Sequence, residues 1–182
     1  MIPSSSSAAL PAASFPGASG PRASGSRRAA QALIAAAQLL LPDLERGAPI
    51  DARALRAAME TSFGGTDADG VWDWKSAYDA CEAAQILFLR KYGPAIARKA
   101  GSAAATLAMI EKISALLPTH TRRSQGGQAL QQFSTPAGLA FVASVAASIH
   151  MGDLVLETSA GTGLLAIHAE NAGAGLELNE LG

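Results

Sequence analysis

Cysteine occurs once in the chain, at Cys81, so no intramolecular disulfide can form and a zinc site built from several cysteines is excluded. A reducing, cytoplasmic setting is the matching expectation. No apolar run reaches the roughly 18 residues that a membrane-spanning helix needs. The best stretch, 137–149, is short and rich in Ala and Ser, so no membrane partner is expected. Aromatic residues make up only 5% although hydrophobic residues reach 49%, which leaves the apolar content to Ala, Leu, Ile and Val. Alanine at that density favours helices, because it loses no side-chain entropy in one. Basic residues are missing altogether beyond Arg123: residues 124–182 hold five acids and no Lys or Arg, whereas residues 1–123 hold 14 basic and 10 acidic groups. The formal charge of −1 therefore conceals a +4 segment followed by a −5 segment, a split that implies two parts with different jobs. A surplus of +4 spread over 123 residues is too weak a field to indicate nucleic-acid binding by itself.

Residues 1–27 consist mainly of Ser, Ala, Pro and Gly, a composition that cannot bury enough surface to offset the entropy of ordering, and are expected to be disordered. Ser26-Arg27-Arg28 followed by 29–41 superficially resembles a twin-arginine export signal, but Gln31 and Gln38 interrupt the run and Pro42-Asp43-Leu44-Glu45 replaces a cleavage site. The expectation is instead an amphipathic helix over 27–41, stopped by Pro42. Asp51 reads as the N-cap of a helix to about Ser62 with Leu55, Ala58, Met59 and Ser62 on one face. Asp67-x-Asp69-Gly70 has the start of a calcium loop without its bidentate Glu, and reads as a plain turn. A long helix is predicted over 73–91, with Trp74, Ala77, Tyr78, Cys81, Ala84, Gln85 and Phe88 as its buried stripe, ended or kinked at Gly93-Pro94. Cys81 reads as a small buried hydrophobe. Another helix should run from the N-cap Ser102 to Leu117. Residues 28–118 thus form a helical leader module, and 119–131, with Arg122-Arg123, a polar linker.

Thr135 as N-cap and Pro136 at the first helical position open a helix over 136–150. Next come an apolar run of strand type, 153–157, the loop Thr158-Ser159-Ala160-Gly161-Thr162-Gly163, a helix over 164–171 and a second strand after Gly173-Ala174-Gly175. A crossover of about 17 residues meets the dozen or more that parallel strands require. The fold class expected is therefore a mainly α N-terminal module followed, over 132–182, by the start of an α/β Rossmann-like fold with about two parallel strands. A glycine-rich turn from strand to helix lets a ligand approach backbone without meeting a Cβ. On spacing alone, a tight structural turn would look the same. His168 reads as a helix-surface histidine, and His120 and His150 lack metal-ligand spacing.

Taken together, Glu157-x-x-x-Gly161-x-Gly163 and the preceding Gln132-Phe133-Ser134-Thr135-Pro136 resemble the two cofactor segments of class I S-adenosylmethionine-dependent methyltransferases of the amino-methylating DNA type. With Leu41-Pro42-Asp43-Leu44-Glu45, the 72–92 region and Leu117-Pro118-Thr119-His120-Thr121-Arg122-Arg123, the chain over 41–182 is similar to bacterial strawberry notch-like proteins, which join a methyltransferase-like domain to a helicase. The resemblance implies S-adenosylmethionine as cofactor, and nucleic acid, DNA in the first instance, as the partner of the full-length protein. It implies Phe133, Thr135 and Pro136 under the methionine end, and Glu157, Gly161 and Gly163 at the loop, with the acid orienting the cofactor's amino group. The ribose acid is expected to be Glu180, which leaves a strand of normal length after Gly175, with Glu177 as the other choice.

Two departures bear on activity. Thr158 stands where the related enzymes carry proline, and the Asn/Asp-Pro-Pro-aromatic segment that positions their target amine is absent, so no catalytic residue is assigned and this chain is expected to be an inactive part of such a domain. A non-catalytic scaffold or nucleic-acid adaptor is the alternative. A nicotinamide oxidoreductase is disfavoured, because only two of that fingerprint's three glycines have counterparts.

Overall fold

The computed structural model describes residues 21–119 and 134–180. Its elements are α1 (Pro21–Glu45), α2 (Ala52–Phe63), α3 (Trp74–Ala100), α4 (Ala103–Ser114), α5 (Ala137–Ala146), β1 (Leu154–Glu157), α6 (Ala166–Ala172) and β2 (Gly175–Leu178). The described chain is thus mainly helical with two strands. No helix among the described residues is long and apolar enough to cross a membrane.

Three of the helices begin where short polar side chains can take an orphan amide. Asp51 accepts from Ala54 N at 2.7 Å, Asp73 from Ser76 N at 2.8 Å and Ser102 from Ala105 N at 3.2 Å. The expected prolines do not stop their helices. α1 starts at Pro21, inside the stretch expected to be disordered, and runs through Pro42 to Glu45; α3 runs through Gly93-Pro94 to Ala100. A proline removes the hydrogen bond to the carbonyl four residues back. Those carbonyls belong to Gln38 and Arg90, both exposed, so water can take them. Burial on the far side of the same turns outweighs the loss, since Leu40 and Leu44 are each only 1% exposed. Further along, α5 stops at Ala146 rather than His150. Ser148 adopts φ 53°, its N–H reaching Val145 O and that of Ile149 reaching Ser144 O, a left-handed cap that turns the chain toward β1. Pro136, rather than Thr135, occupies the cap position of α5, and α6 starts at Ala166 rather than Leu164.

α1 and α2 pack on α3 around a first core that includes Leu40, Leu44, Leu55, Met59, Ala77, Cys81 and Phe88. Of the expected stripe of α3 all but Trp74 is buried; Trp74 is half-buried because its indole Nε1 donates outward to Asp67 at 3.1 Å. Asp67 also pairs with Arg56, and Thr66 bonds Asp69, so these groups hold a turn together. Burial pushes the Cys81 thiol up to about 12, with the Glu82 carboxyl beside it adding to the shift.

A second core joins Ile86 and Leu89 of α3 to Ile110, Ala137, Leu164 and Ile167. It crosses the expected boundary between leader and C-terminal part, so α3 serves both. Bidentate contacts of Arg90 with Glu170 and a bond from Asn171 Nδ2 to Leu89 O reinforce the same seam. Gly93 leaves room for this bond, since a Cβ there would displace the Asn171 amide. β1 and β2 pair in parallel, Leu154 opposite Gly175 through Glu157 opposite Leu178, across a seventeen-residue crossover. Val155 and Leu176 turn one face of this sheet inward, while Leu154 and Leu156 lie exposed on the other.

Candidate functional site

The loop that leaves β1 is laced to the end of β2. Beyond the paired strands, Asn179 N donates to Glu157 O and Ala160 N to Asn179 O, both at 2.9 Å, while Asn179 Nδ2 reaches Thr158 O at 3.2 Å. Two glycines then take left-handed conformations, Gly161 at φ 51° and Gly163 at φ 97°, a region that costs a residue with a Cβ on the order of 1–2 kcal/mol. A Cβ at Gly161 would meet nothing within 4 Å, whereas one at Gly163 would lie 3.8 Å from Ile86 Cδ1 on α3. The loop therefore opens outward at its first glycine and rests on the leader's central helix at its second.

Three carboxylates engage the loop directly. Glu157, half-buried at the end of β1, accepts from Ser159 N at 3.2 Å, and Glu180, two residues past β2, accepts from Gly161 N at 2.7 Å. Glu177 lies within β2 opposite Leu156. The third carboxylate is Glu82, which sequence reasoning passed over. It sits in mid-α3, is 4% exposed, and accepts from Ser134 Oγ and Thr162 Oγ1, each at 2.7 Å. Its sequence signal is a second α3 stripe, Tyr78-Glu82-Ile86-Leu89, spaced four, four and three residues apart. Through Glu82 the Ser134-Thr135-Pro136 segment comes next to the glycine loop; Thr135 and Pro136 are exposed beside it. Phe133 lies outside the described residues, as do the 1–20 part of the tail, the Arg122-Arg123 pair and His120.

His168 is not on the surface. It is 6% exposed, stacks edge-on to Phe141 and borders a cavity of about 370 Å³ lined also by Leu89, Ile110 and Val145. Its Nε2 lies 3.1 Å from Ala137 O; a carbonyl only accepts, so Nε2 carries the proton. Burial lowers the imidazole pKa below its usual value, partly opposed by the bond to Ala137. Below about pH 6.5 the unfolded ring takes up a proton that the folded ring refuses. Stability conferred by neutral His168 is therefore complete above that pH and is lost as pH falls beneath it, by up to about 1.4 kcal/mol per pH unit. Urea melts at pH 7.5 and 5.5 check this: His168→Gln should flatten the difference, and an unchanged difference would assign it to other groups.

Comparisons of the chain with family models, curated proteins and solved structures find no match.

Proposed function

We propose that the C-terminal part of the chain is the front of an S-adenosylmethionine-binding, methyltransferase-like domain that, within a longer polypeptide bearing a helicase, works on or along DNA. The observation that supports this reading best is the charge at the glycine loop. Glu82, Glu157 and Glu180 all bond to it or pin it, and residues 124–182 contain no Lys or Arg. Glycine loops that hold a pyrophosphate rely on positive potential. This one is ringed by negative charge, which disfavours a dinucleotide and favours a nucleoside carrying an ammonium and a sulfonium. The residues present fit such a group. Glu157 and Glu180 each touch the loop through one oxygen, and a carboxylate has two, so neither must let go to accept from an ammonium or a ribose hydroxyl. The open space at Gly161 leaves room for close approach, and the exposed Thr135 and Pro136 flank it.

Calorimetric titration of the whole chain with S-adenosylmethionine, S-adenosylhomocysteine and NAD tests the reading. Both adenosyl compounds should bind, the sulfonium form more tightly and with a preference that weakens in salt, as expected for exposed charges. NAD should give no heat. Methyl transfer from radiolabelled cofactor to DNA should stay at background, because the target-amine segment is absent from this sequence. Binding of NAD in preference to the adenosyl compounds would overturn the proposal.

A further inference from the structure

Glu82 has no counterpart among the residues that the resemblance assigns, yet it is the group on which both cofactor segments converge. A carboxylate there is costly: Glu82 is 4% exposed on the α3 face it shares with Ile86 and Leu89 of the second core, where an apolar side chain would need no such desolvation. What it accomplishes in return is geometric. Ser134, which immediately precedes Thr135-Pro136, and Thr162, between the two left-handed glycines, are 28 residues apart in sequence and are held by the same oxygen, Oε2. A loop whose two glycines occupy left-handed conformations has many alternatives open to it, and one side chain at its centre, fixed by a buried acceptor, removes most of them.

We infer that Glu82 is a positioning residue which sets the shape of the ligand cleft, so that α3 of the leader is an integral wall of the site and not an appendage to it. This rests on the proposed function for the identity of the ligand, but the coupling of Glu82 to the loop does not. Glu82 acts on the ligand at one remove: its effect passes through Ser134 to the Thr135-Pro136 side and through Thr162 to the glycine side.

Hydrogen exchange on the full chain reads the coupling without any ligand. Glu82→Leu and Thr162→Val should each speed exchange of the amides between 160 and 165 by roughly tenfold, the factor for losing one charge-assisted bond. The double variant should exchange no faster than either single one. Glu82→Gln keeps an acceptor and should restore most of the protection. If Glu82→Leu does not fold, Thr162→Val and Ser134→Ala carry the test, since both hydroxyls lie at the edge of the interior. Titration with S-adenosylmethionine is the second readout: affinity should fall about tenfold in Glu82→Leu and Thr162→Val and recover in Glu82→Gln, with thermal melting nearly unchanged in Thr162→Val. Absence of binding in the unaltered chain would overturn the proposed function and leave the positioning role standing on the exchange data. Unaltered loop exchange in folded Thr162→Val and Ser134→Ala would overturn the positioning role whatever the chain binds.

Discussion

Leu55→Ala should lower the unfolding free energy by about 2–5 kcal/mol, whereas Leu154→Ala should change it by less than about 0.5 kcal/mol. The two residues are chemically identical and differ only in what surrounds them. Leu55 is 0% exposed on α2, enclosed by Leu40, Leu44, Met59 and the α3 stripe; its truncation leaves a cavity that helices fixed by their own caps cannot collapse to fill. The gain in helix propensity from alanine, a few tenths of a kcal/mol, does not offset it. Leu154 is 70% exposed on the open face of the sheet, where truncation removes almost no contact. Against a total of about 5–15 kcal/mol for a typical domain, the first change is severe. Urea unfolding followed by circular dichroism measures both. Equal losses would show that the open face of the sheet is covered in solution, since only a covered Leu154 can lose contacts.

That open face is itself informative. Parallel sheets normally carry a layer on both sides, and two short strands alone leave a hydrogen-bonding edge on each flank. Here Leu154 and Leu156 face solvent, and so do Leu139 and Val142 on α5. With so little of the sheet buried, the stability of the described residues resides in the leader and in the core it shares with α5 and α6.

Local chemistry was legible where it acts locally. Asp51, Asp73 and Ser102 mark helix starts because each cap is a bond to an amide three residues on, and the short apolar run at 154–156 and the glycines at 161 and 163 mark a strand and a turn for equally short-range reasons. Helices continue past Pro42 and Pro94 because the local penalty is outweighed by Leu40 and Leu44 on one helix and by Tyr92 and Ile96 on the other, which pack on distant parts of the chain. The same holds for His168 and Glu82. A histidine on a short helix reads as exposed until Phe141 and Ala137, from another element, close over it, and a glutamate in a helix reads as solvated until hydroxyls 52 and 80 residues away reach it. The glycine loop itself was visible in the sequence; the helix that holds its far side was not.

Gly161→Asp should abolish binding of S-adenosylmethionine, a loss of about 100-fold or more in affinity, while leaving the chain folded. Two features separate these effects. Within the protein a Cβ at position 161 meets nothing within 4 Å, and φ 51° is a conformation that aspartate tolerates better than most residues, so the fold should lose only about 1 kcal/mol. The same open space is where a ligand must lie to reach the backbone of the loop, and the new side chain would fill it. It would also add a further carboxylate beside Glu157 and Glu180, opposite the carboxylate of the cofactor, where attraction to the ammonium is already supplied and only repulsion remains to be gained. Gly163→Ala is the useful contrast. Its Cβ would sit 3.8 Å from Ile86, an ordinary contact, but φ 97° suits no residue with a side chain, so strain should appear there as lower stability more than as lost affinity. Titration and thermal melting of the two variants side by side distinguish the roles of the two glycines. Unchanged affinity in Gly161→Asp would mean that the loop is a turn between strands and that the cofactor, if bound, lies elsewhere.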